Sequence, residues 1–223
     1  MRIEKRNSQI YRYLGIILLM LFVVLEMGVM GHSNWVNSLD NTAFAMVKDP
    51  NAFLINFFNI VAKISSPAVD MILIVILDLI VWFYQKQHLL ATWLAVMQIP
   101  IIGISWIVKQ TVRRPRPNFK IIPDHGFGFP SGHTLCITIL IISLLLVIFT
   151  KISNSRVKVV LIILGVVWIA LVGISRFLLR DHYITDVIGS LLLATGYWSV
   201  MYSIRSAVEN FLQRYLDKLN IGG

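Results

Sequence analysis

Cysteine and charged residues are both scarce in this chain. The single Cys136 among 223 residues excludes an internal disulfide and a cysteine-rich metal site, and its apolar neighbours predict a small buried side chain. Charged residues make up 14% of the chain and hydrophobic residues 57%, which is too apolar for an ordinary soluble protein. Because the apolar residues come in long runs, we predict a polytopic membrane protein.

Acidic residues are also few, 11 against 20 Lys and Arg, which leaves a formal net charge of +9. A basic balance can indicate nucleic-acid binding, but these cations neither lie on a soluble face nor alternate with stacking aromatic residues, so we exclude nucleic acid as a partner. Spacing typical of a metal site is missing as well, since His125 and His133 stand apart from any carboxylate cluster. We therefore predict no metal, no other cofactor and no obligate protein partner.

Six apolar runs are long enough to cross a membrane, which predicts an all-α fold and a single domain over residues 1–223. The predicted spans cover about 13–31, 67–84, 89–108, 132–150, 159–177 and 183–203. Residues 32–65 place apolar side chains at roughly helical spacing around Pro50. This fits short amphipathic helices in the membrane interface or, alternatively, a packing loop on the outer surface. Thr185, Gly189 and Gly196 form a small-residue face on the sixth span and predict close helix packing.

Six spans place both termini on one side of the membrane and the 109–131 and 178–182 loops on the other. Of the 20 Lys and Arg, 11 lie on the side of the termini and 9 on the opposite side. Seven of those nine fall at the two loops, and only Lys48 and Lys63 lie elsewhere. Setting the loop cations aside, the positive-inside rule predicts cytoplasmic termini and outward-facing loops. The surplus of outer cations indicates an anionic ligand there.

The first chemical cluster is Lys109 with Arg116-Pro117, at the end of the third span. A compact ammonium and a planar guanidinium fork together suit a phosphoryl group. Basic residues at the end of a span can also simply contact lipid headgroups, so this cluster alone is a weak indication.

The second cluster is Pro130-Ser131-Gly132-His133-Thr134, where the fourth span begins. Ser131 is a natural helix N-cap. Gly132 lets an anion approach the backbone closely, and the free N–H groups of a helix start favour negative charge. His133 would project over the same point. The alternative is an ordinary capped helix with an interfacial histidine.

The third cluster consists of Ser175-Arg176, His182 and Asp186. His182 and Asp186 are four residues apart at the start of the sixth span, so they share one helical face. Asp186 can then accept a hydrogen bond from one ring nitrogen and leave the other nitrogen with a free lone pair, as in a nucleophile or base constellation. The alternative is a buried His–Asp pair that only ties helices together.

Together the three clusters predict phosphoryl transfer. The phosphate is held by Lys109, Arg116, Arg176, the Ser131 hydroxyl and backbone N–H groups. The neutral imidazole of His182 attacks the phosphorus, and His133 protonates the departing oxygen. Water then hydrolyses the phosphohistidine, with His133 acting as the base.

The segments Lys109-x6-Arg116-Pro117, Pro130-Ser131-Gly132-His133 and Ser175-Arg176-x5-His182-x3-Asp186 resemble, in order and spacing, the three signature motifs of the type 2 phosphatidic acid phosphatase family. The motifs cover about 109–186, and the six-span plan resembles the bacterial membrane members over most of the chain. The resemblance implies a metal-independent phosphatase whose nucleophile is His182, whose acid/base is His133 and whose orienting carboxylate is Asp186. It also implies a phosphate-binding set of Lys109, Arg116, Ser131, Gly132 and Arg176.

Several substrates remain open at this point, because members of that family act on phosphatidylglycerophosphate, undecaprenyl diphosphate and phosphatidate. An outward-facing site favours undecaprenyl diphosphate, and the additional cations Arg113, Arg114 and Arg180 suit a diphosphate. The alternatives are a phosphatidylglycerophosphate or phosphatidate phosphatase in phospholipid synthesis. A non-enzymatic protein that binds anions or translocates lipids is a further alternative, against which the intact histidine pair argues.

Five other charged residues have more than one interpretation. Arg180 and Asp181 either tune the headgroup preference or pair with each other. Glu26, Asp70 and Asp78 lie inside predicted spans, where a carboxylate is costly without a partner. They either pair with site cations or each other, or serve the structure.

Overall fold

Long apolar helices dominate the computed structural model of the chain. It describes residues 2–47, 50–121 and 125–218, so Lys48 and the two ends of the predicted 1–223 domain lie outside the described residues. The helices within these ranges are α1 Arg2–Met30, α2 Asn34–Met46, α3 Ala52–Ile64, α4 Pro67–Leu79, α5 His88–Val112, α6 Gly132–Phe149, α7 Ser155–Leu178, α8 Ile184–Ser203 and α9 Arg205–Lys218. A π-helical turn, Ile80–Tyr84, continues α4.

Six helical segments are long and apolar enough to cross a membrane, which confirms the predicted all-α fold with six spans. They are Ser8–Met30, Ala52–Tyr84, His88–Val112, Gly132–Phe149, Ser155–Leu178 and Ile184–Ser203. Much of their outer surface is apolar; α7, for example, exposes Val160, Ile163 and Val167. Such a continuous apolar exterior fits lipid rather than water. The protein is therefore an integral, multi-pass membrane protein.

The second apolar segment, Ala52–Tyr84, contains two helices, and the predicted span of about 67–84 corresponds to α4 and the π-helical turn that follows it. The short helices that were one of two alternatives for residues 32–65 are present as α2 and α3. Ser66 ends one helix and starts the next, since its hydroxyl accepts from Val69 N at 3.4 Å and Pro67 occupies the first turn of α4. Ser66-Pro67 therefore marks the boundary between α3 and the helix that was predicted as the second span.

The helices α1 and α8 pack closely through glycines, as the small-residue face on the sixth span predicts. A Cβ atom on Gly15 would lie 2.7 Å from the backbone nitrogen of Val200 and 2.8 Å from the carbonyl oxygen of Gly196. The two backbones are therefore in near contact. On the same face of α8, Gly189 lies against the ring of Phe129. This packing fixes α8, which carries Asp186, against the first span.

The four helix ends that carry the motifs lie together at one end of the bundle: the ends of α5 and α7 and the starts of α6 and α8. Backbone hydrogen bonds join them, with Ser131 N donating to Asp186 O at 3.2 Å. The Ser190 hydroxyl also donates to the carbonyl of Ser131 at 2.8 Å. At the opposite end, α9 packs against α5, where Arg205 lies over the ring of Trp93. Cys136 is buried, as predicted.

Candidate active site

His182 lies just before α8 and is fully buried beside Asp186. Its Nδ1 is 3.2 Å from Asp186 Oδ2, and the backbone N–H of Tyr183 donates to the same oxygen at 3.0 Å. The other ring nitrogen, Nε2, is 3.2 Å from a guanidinium nitrogen of Arg116. A carboxylate only accepts hydrogen bonds and a guanidinium only donates them, so both neighbours require the same neutral tautomer. Nδ1 carries the proton, and the Nε2 lone pair points toward Arg116.

Burial is the main reason why the pKa of His182 falls from 6.5 to about 4. The hydrogen bond and the charge of Asp186 oppose this shift, whereas the cations Arg116 and Arg176 add to it. The imidazole is therefore neutral near pH 7, which is the form that can act as a nucleophile.

Arg116 and Arg176, from the first and third motifs, both pair with the buried carboxylate of Asp181. A guanidinium nitrogen of Arg116 is 2.8 Å from Asp181 Oδ1. The carbonyl oxygens of His125 and Gly126 accept further hydrogen bonds from Arg116, at 3.1 and 3.2 Å. The two predicted phosphate-binding arginines thus lie next to each other and next to His182. Asp181 pairs with both arginines, and Arg180 lies over the ring of Phe119.

The remaining predicted residues lie around the same point. Lys109 is in the last turn of α5, not in the loop that follows, and its Nζ donates to the carbonyl of Phe127 at 2.9 Å. Ser131 is the N-cap of α6, as predicted, and accepts from Thr134 N at 3.5 Å. Gly132 and His133 follow in the first turn of that helix, half-buried. The structure therefore brings the three motifs together, while the role of each residue stays a prediction.

Arg114 occupies a place that differs from its prediction. It was expected among the additional cations for a diphosphate, but it is buried and bound by carboxylates of the protein itself. One guanidinium nitrogen lies 2.6 Å from Asp186 Oδ1 and 2.7 Å from Thr185 Oγ1, and the other lies 2.5 Å from Asp40 Oδ2. Its guanidinium also stacks on the ring of Tyr183 at 4.0 Å.

The pKa values of Arg114 and Asp40 reflect their burial and their mutual attraction. Burial acts to lower the pKa of Arg114, but the carboxylates of Asp186 and Asp40 outweigh burial and raise it. For Asp40 the balance is reversed, since burial raises the pKa of this carboxyl and Arg114 only partly offsets the effect. Thr185 contributes two further donors to Asp40, its backbone N–H at 3.1 Å and its hydroxyl at 2.9 Å.

Asp40 and Gly128 are residues near the site that sequence reasoning missed. Asp40 lies on α2, a segment read only for its apolar spacing, and an acidic residue there gave no sign of a partner at Arg114. A Cβ atom on Gly128 would lie 3.0 Å from Asp186 Oδ2, so the chain passes directly over the orienting carboxylate. The repeated glycines of 126–128 were a signal for such a close approach.

The three carboxylates inside the spans have separate surroundings. Asp78 accepts a hydrogen bond of 3.4 Å from Gln98, which also donates to Ser143 at 3.1 Å. Asp70 is buried in the first turn of α4, where neither of its oxygens has a hydrogen-bond partner among the described residues. Glu26 is half-buried on α1. Of the three, Asp78 therefore has a partner on another helix.

Comparisons with known proteins identify the family to which the chain belongs. Residues 87–209, more than half of the chain, match the family model described as the PAP2 superfamily. The chain is 27% identical over 212 residues to "Phosphatidylglycerophosphatase B" of Bacillus subtilis, covering 91% of this chain and 100% of that protein. It is 22% identical over 140 residues to "Sphingosine-1-phosphate phosphatase 1" of Rattus norvegicus, covering 60% of this chain and 32% of that protein.

A solved structure shares the fold. The crystal structure of a transmembrane PAP2 type phosphatidylglycerolphosphate phosphatase from Bacillus subtilis matches with a TM-score of 0.77 at 24% sequence identity. The match covers 87% of this chain and 97% of that chain. The six spans and the grouping of the helix ends therefore belong to a known architecture.

Proposed function

The chain belongs to the PAP2 superfamily of membrane lipid phosphatases, and from this premise we propose that it hydrolyses a lipid phosphomonoester through a phosphohistidine at His182. The observation that carries the proposal is the state of the His182 ring. The ring is neutral and buried, its Nδ1 is held by Asp186, and its Nε2 lone pair faces Arg116.

The reaction proceeds in two displacements. The phosphoryl oxygens bind the site cations and the N–H groups at the start of α6, and Arg116 turns its donors from His182 Nε2 to the phosphate. Nε2 then attacks the phosphorus, the bond from phosphorus to the lipid oxygen breaks, and His133 gives that oxygen a proton. In the second step, His133 takes a proton from water, the water oxygen attacks the phosphorus, and the bond to Nε2 breaks. The products are the lipid alcohol and inorganic phosphate.

This proposal assigns phosphate binding to five residues of the three motifs. They are Lys109, Arg116, Ser131, Gly132 and Arg176. Their cations and donors neutralise the phosphoryl charge, which otherwise repels an approaching lone pair, and they stabilise the charge of the transition state. The mechanism assigns no step to a metal ion, so we expect hydrolysis to continue in the presence of a chelator.

The substrate preference follows from the charges that the structure places in the site. Arg114 is already bound by two carboxylates, and Asp181 offsets part of the charge of Arg116 and Arg176. Fewer cations are therefore left for a second phosphate than the sequence suggested, which favours a monoester. Phosphatidylglycerophosphate is our leading candidate, because the relative that aligns over its full length is named for it.

Undecaprenyl diphosphate is the second candidate. The distribution of Lys and Arg favours cytoplasmic termini, and with six spans this orientation places the site at the outer side. We propose that orientation for this protein. Lipid diphosphates released during envelope synthesis are available at that surface, so the orientation favours this substrate while the charges in the site favour a monoester.

Phosphate release by the detergent-purified protein, measured in chelator, tests the function. The panel contains phosphatidylglycerophosphate, phosphatidate and undecaprenyl diphosphate. We expect turnover of phosphatidylglycerophosphate fastest, loss of all turnover in His182→Ala, and unchanged turnover in His88→Ala, a histidine at the far end of α5. Faster release from undecaprenyl diphosphate would move the protein to envelope synthesis and keep the mechanism. Activity that required added divalent metal, or survived in His182→Ala, would contradict the phosphohistidine.

A further inference from the structure

Asp186, the carboxylate that orients His182, is itself held by a chain of buried charges. Its Oδ2 faces His182 and the N–H of Tyr183, while its Oδ1 is 2.6 Å from Arg114. Both oxygens are therefore engaged, one by the histidine and one by the arginine. The rotation of this carboxylate about its side-chain bonds is blocked as long as Arg114 stays in place.

Arg114 is in turn fixed from a distant part of the chain. Asp40, on α2, lies 2.5 Å from the second guanidinium nitrogen and accepts from the N–H and hydroxyl of Thr185. The two terminal nitrogens of the planar guanidinium group thus bridge two carboxylates. A guanidinium group is suited to this arrangement and an ammonium group is not. Asp40 is 1% exposed and Arg114 9%, so water does little to screen the interaction.

We propose that Arg114, anchored by Asp40, is a positioning residue for the His182–Asp186 pair. Arg114 holds the carboxylate in the geometry that aims Nε2 at the phosphorus, and its positive charge limits how strongly Asp186 favours the protonated imidazole. The role rests on the proposed function of His182 as nucleophile. Asp40 lies outside residues 87–209, the segment that matches the family, so the anchor comes from another part of the chain.

Removal of the charge of Arg114 has a consequence that a structural defect would not produce. Among the described residues, the charges that act on His182 include Asp186 on α8, Arg116 after α5 and Arg176 on α7. Asp181 pairs with both of these arginines. Without Arg114, the negative charge of Asp186 acts on the imidazole with less compensation, so the pKa of His182 rises. The acid limb of the pH–rate profile then moves to higher pH.

The test compares Arg114→Gln, Arg114→Lys and Asp40→Asn with the wild-type protein, using the panel substrate that the wild type hydrolyses fastest. Arg205→Gln is the matched control, because Arg205 is also ion-paired, with Glu209 at 2.7 Å, at the far end of α8. The rate kcat, the KM and the pH profile of kcat/KM are measured on protein that elutes as a single species in detergent.

We expect Arg114→Gln to lower kcat about 10–100-fold, the usual loss when an orienting partner is removed. The acid limb of its pH–rate profile should move to higher pH by about one unit. KM should change less than about threefold, because Arg114 is bound away from the phosphate. The lysine variant should keep the acid limb near the wild-type position but recover only part of kcat, since it cannot bridge two carboxylates. Asp40→Asn should lower kcat without moving the acid limb to higher pH. Arg205→Gln should leave both kcat and the position of the acid limb unchanged.

Three results would overturn the role of Arg114. An unchanged acid limb with normal kcat in Arg114→Gln would leave only a structural role, and a raised KM with normal kcat would make Arg114 a substrate-binding residue. Full recovery of kcat in Arg114→Lys would contradict the bridge. If Arg114→Gln does not fold, kcat of the other two variants decides, and a normal kcat in both Arg114→Lys and Asp40→Asn would overturn the role.

A readout without turnover separates this proposal from the proposed function. The chain has only 5 histidines, so histidine NMR titration of the detergent-solubilised protein can follow His182 directly. A pKa that rises in Arg114→Gln supports the positioning role even if none of the lipids in the panel is hydrolysed. Conversely, an active wild type with a His182 signal that is insensitive to Arg114 refutes the role and leaves the function intact.

Discussion

At the scale of single residues, Asp181 pairs through its buried carboxylate with Arg116 and Arg176. These are two of the guanidinium groups that the proposed mechanism assigns to the phosphate. A phosphate that enters the site must compete with this internal anion. In the proposed mechanism, Asp181 therefore lowers the affinity of the two arginines for phosphate, which favours release of the product.

The variant Asp181→Asn should consequently bind inorganic phosphate more tightly. We expect the inhibition constant of phosphate to fall about tenfold, or ~1.4 kcal/mol, because both arginines lose a competing charge. Product inhibition of lipid hydrolysis measures this constant. Asp78→Asn, a carboxylate bound to Gln98 instead, serves as the control and should not change it. Weaker inhibition in Asp181→Asn would mean that the carboxylate holds the forks in place for phosphate.

The predictability of the site from the sequence also differs residue by residue. His182 and Asp186 are only four residues apart, and the structure pairs them as predicted. The predicted shared helical face was wrong, however, because His182 precedes Tyr183, the N-cap of α8, and Asp186 reaches back to it from the first turn of the helix. Arg114 and Asp40 are 74 residues apart, on elements whose contact depends on how the whole bundle packs. Spacing carries no information about such a contact, so Arg114 was read as a free cation for the ligand.

At the level of the helices, the close contact between α1 and α8 depends on glycines, which have no side chain. Gly15→Ala places a methyl group 2.7 Å from the backbone of α8, which cannot rotate away. We expect a destabilisation of about 1–3 kcal/mol from this overpacking. Gly103→Ala on α5 is the matched control, because nothing lies within 4 Å of its new Cβ atom.

Thermal unfolding in one detergent compares the two glycine variants. Gly103→Ala should be neutral or more stable by up to about 1 kcal/mol, since alanine favours a helix over glycine. Equal stability of both variants would mean that α1 and α8 separate easily and that the close approach contributes little. Because α8 carries Asp186, we also expect Gly15→Ala to lower activity at temperatures where the control is unaffected.

Helix boundaries were predictable to within a few residues wherever a polar turn separates two apolar runs. The spans that begin at Gly132 and Ile184 are examples. The helix predicted as the second span likewise begins at Pro67, after the N-cap Ser66. The helices of residues 32–65 were harder to predict, because their apolar spacing fitted a loop as well as short helices.

For the whole molecule, the buried neutral His182 links stability to pH. Its pKa is about 4 in the folded protein and 6.5 ordinarily, so the unfolded chain binds a proton more readily between these values. Stability therefore decreases as pH falls from 6.5 toward 4, by on the order of 3 kcal/mol for this group. Above pH 6.5 the group contributes no further pH dependence.

Denaturation midpoints of the wild type and His182→Gln, measured from pH 7 to pH 4.5, check this link. The wild type should lose stability more steeply, because glutamine has no proton to take up. Parallel curves for the two proteins would show that His182 titrates near its ordinary pKa in the folded state.

Asp40 lies outside residues 87–209, so the part of the chain on which the proposed site depends is larger than the segment that matches the family model. A gene fragment for residues 87–209 would carry every motif side chain, yet Arg114 would lack its acid from α2 and Gly196 its neighbour α1. A protein in which that fragment is joined to another membrane anchor should therefore contain all three motifs and lack activity. Exchange of segments between relatives should preserve activity only when α1 and α2 are transferred together with the motifs.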